Sequence, residues 1–184
     1  MLTNIIQRLN VALAAVLFLT SGAFAQGTDV SELLERLKDP ETSNWEAVEQ
    51  RVYEAWSQSG SPAMDLLLTR GRDALEAEQY EEAIEHFTAL TDHAPEFAEG
   101  WNARATAYYL ANMYGPSIAD IRVTLSLNPQ HFGALAGLGL MMSELGYDEF
   151  ALEAYKEAQT IHPHRPNINE AVERLEQELE GEAL

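Results

Sequence analysis

Residues 98–131 read AEGWNARATAYYLANMYGPSIADIRVTLSLNPQH, and the block of equal length on each side follows the same pattern. Residues 64–97 read MDLLLTRGRDALEAEQYEEAIEHFTALTDHAPEF, and residues 132–165 read FGALAGLGLMMSELGYDEFALEAYKEAQTIHPHR. The matched positions are Leu67, Trp101 and Leu135; Gly71, Ala105 and Gly139; Ala83, Ser117 and Ala151; Phe87, Ile121 and Tyr155; and Pro95, Pro129 and Pro163. A fixed period of this length predicts helical repeats stacked in tandem.

Each block predicts two helices, A and B, joined by a short turn and ended by the proline. Gly71 and Gly139 let helix B cross close to helix A, because a larger side chain would separate the two. Phe87 and Tyr155 on helix B fill the remaining space. One such hairpin cannot bury its apolar side alone, so we expect the hairpins to stack into a solenoid.

The flanking segments predict further helices. Residues 26–62 predict a helix pair without the repeat pattern, and we expect this pair to cover the first exposed face of the solenoid. Within it, residues 43–46 (SNWE) have the form of a capping box. Residues 166–184 predict a capping helix and an acidic tail, with an apolar stripe formed by Ile168, Val172, Leu175 and Leu179.

The matched positions resemble the pattern of the tetratricopeptide repeat (TPR) family: large-x2-Leu-Gly-x2-Tyr, then Ala-x3-Phe, then Pro. The resemblance covers residues 64–163 and rests on three tandem copies in phase. It implies an all-α fold, a right-handed α-solenoid. Three TPR hairpins would occupy residues 63–165 (64–97, 98–131 and 132–165), between the N-terminal helix pair and the C-terminal capping helix.

The chain also departs from that pattern. Arg70 and Arg104 stand where the family has Leu, whereas Leu138 keeps it, and Ala74 and Met142 replace the Tyr. Since an unpaired buried charge is costly, we expect both arginines to form ion pairs with Asp or Glu.

Residues 1–25 predict a cleaved signal peptide. Arg8 is the one charged residue, residues 11–20 are almost wholly apolar, and Ala-Phe-Ala at 23–25 fits the cleavage rule. The apolar run is shorter than the roughly 20 residues that span a bilayer, although an uncleaved anchor is the alternative. The strings SGSP (59–62), GWNARA (100–105) and HFGALAG (131–137) resemble exported alphaproteobacterial TPR proteins of unassigned function. We expect a periplasmic protein with no stable membrane anchor after cleavage.

The chain is strongly acidic, with 11 Lys and Arg, 30 Asp and Glu and a formal net charge of -19. This charge repels phosphate backbones and anionic membranes, so no nucleic-acid partner is expected. Two interpretations stay open: the acidity serves solubility, or it attracts a basic partner or divalent cations. The absence of Cys excludes disulfides, Cys-bound zinc and a Cys-linked lipid.

No pattern indicates catalysis, a cofactor or a metal. The chain lacks a Gly-rich phosphate loop, His-Glu-x-x-His and Gly-x-Ser-x-Gly. His162 and His164 are close in sequence, but Pro163 ends a helix between them, so a polar turn is favoured over a metal site. We predict that the protein is not an enzyme.

The candidate binding surface is the stripe of each helix A next to its buried stripe. Counting from the buried positions gives Leu68, Arg72 and Leu75 in the first repeat, Asn102, Thr106 and Tyr109 in the second, and Ala136, Leu140 and Ser143 in the third. The resemblance implies that some family members clamp a terminal carboxylate with Lys, Arg and Asn. Here only Arg72 and Asn102 remain, and Glu99 stands at another clamp position, so this clamp is not expected.

The mixed stripe predicts an extended or helical peptide held by apolar anchors. In this hypothesis Asn102 bonds the peptide backbone and Tyr109 provides a stacking surface, neither of them filling the core. The alternative is a face that is solvated or covered by the first helix. The sequence thus predicts a protein- or peptide-binding TPR adaptor of the bacterial periplasm, or an assembly chaperone or structural subunit of an envelope complex.

Overall fold

The computed structural model describes residues 30–182. The predicted signal peptide at 1–25 and the last two residues of the acidic tail lie outside this range. Within it the chain forms nine helices: α1 Val30–Lys38, α2 Trp45–Trp56, α3 Pro62–Glu76, α4 Tyr80–His93, α5 Ala98–Leu110, α6 Tyr114–Leu127, α7 Phe132–Glu144, α8 Asp148–Ile161 and α9 Pro166–Glu182. No strand occurs in the described part, so the predicted all-α solenoid is confirmed. Among the described residues, no helix combines the length and the hydrophobicity of a membrane span.

Helices α3 to α8 form three hairpins, in which α3, α5 and α7 are the A helices and α4, α6 and α8 the B helices. Every A helix ends in the same way. One residue past each C-cap adopts a left-handed backbone: Glu78 and Asn112 with φ 58°, and Gly146 with φ 77°. The amides of the next residues, Gln79, Met113 and Tyr147, each donate to the carbonyl five residues back at 2.8 Å. This Schellman geometry satisfies carbonyls that would otherwise lack partners and turns the chain into helix B.

The close crossing of helices A and B follows the predicted pattern of small and large residues. A Cβ atom at Gly139 would lie 2.7 Å from Cδ2 of Tyr155, and one at Gly71 would overlap the ring of Phe87. In the second hairpin the matched positions hold Ala105 and Ile121, and the Ser117 hydroxyl on helix B donates to the carbonyl of Ala105 at 2.7 Å. Real Cβ atoms do not approach rings this closely, so the aromatic residues on helix B require the glycines on helix A.

The N-terminal pair, α1 and α2, does not lie where we expected. Its apolar residues share one core cluster with α7, α8 and α9: Leu33, Leu34, Leu37, Val48 and Val52 pack with Phe132, Leu135, Tyr155, Ile161, Ile168 and Leu175. The pair folds back over the third repeat rather than stacking on the first. The expectation that it covers the first exposed face of the solenoid is therefore wrong, because its apolar residues pack against those of α7, α8 and α9.

Aromatic residues fix this docking. Trp56 stacks on His131 with ring centroids 4.4 Å apart, and Tyr53 meets Phe132 edge-on at 5.3 Å. At the other end of α2, Trp45 lies against His162 and His164, at 5.5 and 5.9 Å. The contacts tie α2 to the loops that precede α7 and α9.

The capping box predicted at residues 43–46 does not form. Asn44 is the N-cap of α2, and no side chain makes a capping hydrogen bond there. The carbonyl of Asn44 accepts from the amides of Ala47 and Val48 instead. Since Trp45 is held by two histidine rings, tertiary packing sets the start of this helix.

Candidate functional site

The residues predicted for the groove separate into three environments. Asn102, Thr106, Tyr109 and Leu140 line one cavity of about 170 Å³ between α5 and α7. Arg72 lies in the neighbouring depression, lined also by Tyr53, Ser57 and Glu99. Leu68, Leu75 and Ala136 belong to or pack against the core clusters. The cavity is therefore the open part of the predicted stripe.

Leu68 was expected to line the open groove, and this is wrong. Only 2% of it is exposed, and it packs in one cluster with Ala103 and Ala107 of α5. The reason is that neighbouring A helices pack against each other along this stripe. Leu75 is half-buried against the same cluster, and Ala136 is half-buried against the cluster that contains α1 and α2.

The cavity exists because the interface between α5 and α7 is built from smaller residues than the equivalent interface between α3 and α5. Between α3 and α5, Leu68 fills the space against Ala103 and Ala107. Between α5 and α7 the position of Leu68 is taken by Asn102, and that of Ala103 by Gly137. Gly133 and Gly137 line the cavity from α7, and the floor contains Ile121 and Met141. The loss of side-chain volume leaves a mainly apolar space that opens at Thr106 and Leu140, both exposed.

At the N-terminal ends of α5 and α7 the groove is occupied by a polar network centred on Glu99. This carboxylate is 5% exposed. It accepts from Arg72, from Nδ2 of Asn102 at 3.2 Å and from Nε2 of His131 at 3.0 Å. Arg72 also donates to the hydroxyl of Ser57, just after α2, at 3.1 Å.

Both donors that remained from the family clamp are thus engaged by an internal carboxylate. Asn102 was assigned to a peptide backbone, yet its amide group already serves Glu99. The N-terminal pair covers this end of the groove: the Tyr53 hydroxyl lies 2.9 Å from an ideal Cβ position at Gly133. The open part of the groove lies toward the C-terminal ends of α5 and α7.

That open end carries a cluster of two tyrosines and one carboxylate. Tyr109 and Tyr114 each donate from the phenol to a different oxygen of Glu144, both at 2.8 Å. The two rings meet edge-on at 5.8 Å. The hydrogen bond to Glu144 raises the pKa of Tyr114, and desolvation raises the pKa of Tyr109 to about 12. Both phenols therefore remain protonated donors at neutral pH.

The two arginines that depart from the repeat pattern lie in different environments. Arg104 makes two parallel bonds to Asp120, at 2.7 and 3.0 Å, and a third to Thr91 at 2.9 Å. The predicted ion pair is confirmed there. Arg70 is exposed on α3, and among residues 30–182 no ion pair within 4 Å holds it. The ion pair expected for Arg70 is therefore wrong, because an exposed guanidinium is solvated and needs no internal partner.

The histidines after α8 lie in a packed turn. His162 is fully buried against Trp45 and Phe132, and Nε2 of His164 lies 3.0 Å from the carbonyl of Asp39. Their ring centroids are 5.9 Å apart at an interplanar angle of 66°. Within residues 30–182 no group of three or more potential metal ligands occurs. Both rings serve to hold the N-terminal pair.

Sequence reasoning missed three residues that shape this groove: Glu99, His131 and Glu144. Glu99 was noted only as a departure from the clamp. It lies three residues before Asn102 on α5, so helical spacing puts it on the same stripe. His131 and Glu144 carried no comparable signal, because their roles depend on contacts with residues 30 or more positions away.

Known proteins with similar sequences contain tetratricopeptide repeats. No protein-family model matches the chain. The chain is 32% identical over 148 residues to a TPR repeat-containing protein of Rhizobium etli, a match that covers 80% of this chain and 72% of that protein. It is 30% identical over 129 residues to the small glutamine-rich tetratricopeptide repeat-containing protein 2 of Saccharomyces cerevisiae. That match covers 70% of this chain but 36% of the yeast protein.

Solved structures share the fold at lower identity. The Sgt2 TPR domain from Aspergillus fumigatus superposes with a TM-score of 0.61 at 22% identity, over 65% of this chain and 81% of that one. MamA superposes with a TM-score of 0.59 at 17% identity, over 80% of this chain and 81% of its own. With three hairpins in register and a relative matched over most of both lengths, the chain belongs to the tetratricopeptide repeat family.

Proposed function

We propose that this protein is a non-enzymatic adaptor of the bacterial periplasm that binds a protein or peptide segment in the cavity between α5 and α7. The observation that carries the proposal is the cavity itself: about 170 Å³, mainly apolar, and open at Thr106 and Leu140. Apolar cavities of roughly 150 Å³ accept ligands the size of benzene. The space therefore suits one apolar side chain of a docked segment.

A peptide complex of another protein with this fold supports the proposed peptide binding. The first TPR of RPAP3, bound to the HSP90 peptide SRMEEVD, superposes with a TM-score of 0.61 over 63% of this chain. At 22% identity this similarity shows a shared fold and does not identify the ligand of the present protein. In the present protein Glu99 engages Arg72 and Asn102, so an acidic peptide terminus would have to compete with an internal carboxylate.

The shape of the groove restricts how a segment can enter. The N-terminal pair covers the beginning of α7, where Tyr53 lies against Gly133. The Tyr109 and Leu140 end has no such cover in the described part of the chain. A docked segment would therefore lie across the C-terminal halves of α5 and α7, with its anchor directed into the cavity.

A blocking substitution tests this function. Thr106→Trp places a large ring at the mouth of the cavity from an exposed helical position, and we expect it to abolish partner capture from an envelope extract. Thr160→Trp is the matched control, because Thr160 is exposed on α8, away from the cavity lining. Equal capture by the two variants, with unchanged helical content, would place the binding site elsewhere.

A subunit or assembly chaperone of an envelope complex is the second candidate, favoured by an exposed apolar edge. Leu145, Tyr147 and Phe150, in and after the α7–α8 turn, are 44%, 55% and 61% exposed. An edge of this kind suits a lasting interface. A stable, stoichiometric partner in pull-downs would favour a subunit, whereas many weak extended clients would favour a chaperone.

Export forms a separate part of the proposal. The pattern of residues 1–25 supports cleavage before Gln26 and release into the periplasm. N-terminal sequencing of the protein from fractionated cells checks it: we expect Gln26 at the N-terminus in the periplasmic fraction. Met1 on membrane-held protein would instead support an uncleaved anchor.

A further inference from the structure

We propose that the cavity and the adjacent Glu144 form a two-part site that selects segments carrying an apolar anchor side chain and, a few residues away, a Lys or Arg. This inference rests on the proposed binding function and names the chemistry of the partner. The anchor enters the space between α5 and α7. The cation reaches the carboxylate at the open end of the groove.

The two parts of the site are adjacent in space. Leu140 at the cavity mouth and Glu144 are four residues apart on α7, a rise of about 6 Å along the same face of the helix. Tyr109 lines the cavity with its ring and donates from its phenol to Glu144. A side chain in the cavity and a cation at Glu144 would therefore contact opposite ends of the same tyrosine.

Glu144 has no ion-pair partner in the described part of the chain. Its two oxygens accept from the neutral phenols of Tyr109 and Tyr114, and no Lys, Arg or His within residues 30–182 forms an ion pair with it. The phenols orient the carboxylate without neutralising it. Two aromatic rings beside a carboxylate form an environment that favours a Lys ammonium or an Arg guanidinium.

The arginine of the groove is neutralised internally, in contrast to Glu144. Arg72 is the one cation among the described residues that line the cavity and the neighbouring depression, and it is paired with Glu99. An acidic ligand would therefore meet no unpaired cation on this lining, and the chain's net charge of -19 repels it. The net negative charge of the protein attracts a basic segment over longer distances, and the Glu144 carboxylate gives its Lys or Arg an oppositely charged partner at the site. Charge complementarity thus favours a basic, apolar-anchored segment over an acidic one.

Selection from a random peptide library tests the inference without a known ligand. The probe is a phage-displayed library of dodecapeptides, selected in parallel on the wild-type protein, Glu144→Gln, Glu153→Gln and Thr106→Trp. Glu144→Gln removes the charge but keeps the size of the side chain. Glu153→Gln removes the same charge from an exposed position on α8 outside the cavity lining.

On the wild type and on Glu153→Gln, we expect enrichment of peptides with a large apolar residue two to four positions from a Lys or Arg. On Glu144→Gln the apolar residue should persist and the basic residue should lose its enrichment. A peptide selected on the wild type should bind Glu144→Gln roughly fivefold more weakly.

The outcomes separate this inference from the function on which it rests. Enriched peptides that lack basic residues or are acidic, or equal enrichment of basic residues on Glu144→Gln, would overturn the two-part site while leaving a cavity that binds peptides. No enrichment on the wild type, or enrichment that persists on Thr106→Trp, would overturn both.

Discussion

Nε2 of His131 donates to Oε2 of Glu99 at 3.0 Å, while Nδ1 of the same ring accepts from the amide of Ala134 at 3.1 Å. Because a backbone amide can only donate, Nδ1 is the acceptor and the proton of a neutral ring lies on Nε2. This pair joins the starts of α5 and α7. Since Trp56 stacks on the ring and Arg72 bridges Glu99 to Ser57, it also holds α2 in place.

Removing the carboxylate should loosen the N-terminal pair. Glu99→Ala leaves the buried Nε2 of His131 without its hydrogen-bond acceptor and Arg72 without its ion-pair partner. We therefore expect a loss of about 2–4 kcal/mol in the free energy of unfolding. Amide hydrogen exchange in residues 45–56 should accelerate more than in α8. Glu96→Ala, at an exposed position, is the control. An unchanged exchange rate in α2 would show that Glu99 does not hold the pair.

Enlarging Gly139 should break the third hairpin. A Cβ there lies 2.7 Å from the ring of Tyr155, which is buried, so Gly139→Leu should cost roughly 1–3 kcal/mol or more. Glu173→Gln, exposed on α9, should change stability by less than about 0.5 kcal/mol. Thermal unfolding of both variants checks the assignment, and equal melting temperatures would contradict it.

Gly137→Ala should raise the stability of the protein and weaken its binding of peptides. An added Cβ meets only Cδ1 of Ile121, at an ordinary 3.7 Å. Since Ala favours a helix interior over Gly by about 1 kcal/mol, we expect a higher melting temperature. The same methyl narrows the cavity, so peptides selected on the wild type should bind more weakly. Gly115→Ala, where nothing lies within 4 Å, should leave binding unchanged; parallel losses in both variants would exclude a role for cavity volume.

The turn after α3 stores strain that glycine would remove. Glu78 adopts φ 58° in the same turn where the third repeat has Gly146. A left-handed backbone costs a non-glycine residue roughly 1 kcal/mol, so Glu78→Gly should stabilise the protein by up to that amount. Gly146→Glu should destabilise it by a similar amount. Urea unfolding measures both, and effects of the same sign would refute this account.

His162 should make stability depend on pH. Burial lowers its pKa from 6.5 to about 4. Between these values the unfolded chain binds a proton that the folded chain does not, so stability should fall as the pH decreases through this window. Arg165 and His164 act on the ring in the same direction. Burial raises the pKa of Glu49, 3.6 Å away, and its protonation opposes part of the loss at low pH.

The matched variant for this prediction is His162→Phe, which keeps a ring against Trp45 and Phe132 but cannot titrate. Urea unfolding at pH 7 and pH 5 should show a smaller loss of stability for the variant than for the wild type. Identical losses would assign the pH dependence to other groups.

The periodic part of the fold could be predicted because its signals are local and repeated. Gly71 with Phe87, and Gly139 with Tyr155, each meet within one hairpin, so spacing along the chain was enough to pair them. The same register located the cavity residues Asn102, Thr106, Tyr109 and Leu140. It could not show that Leu68 is covered, because that depends on how closely α3 approaches α5.

The sequence by itself determined the three hairpins, their crossing points and the stripe that faces the groove, since each depends on residues close in the chain at a fixed period. Only the tertiary structure decided where the N-terminal pair docks, which groove donors Glu99 engages and which carboxylate at the open end accepts from two phenols without an ion-pair partner in the described part of the chain. Trp56 and His131, or Tyr114 and Glu144, meet across separations of 30 or more residues and belong to different hairpins or helix pairs. Such contacts form when packed helices bring unrelated residues together, and no local pattern encodes them.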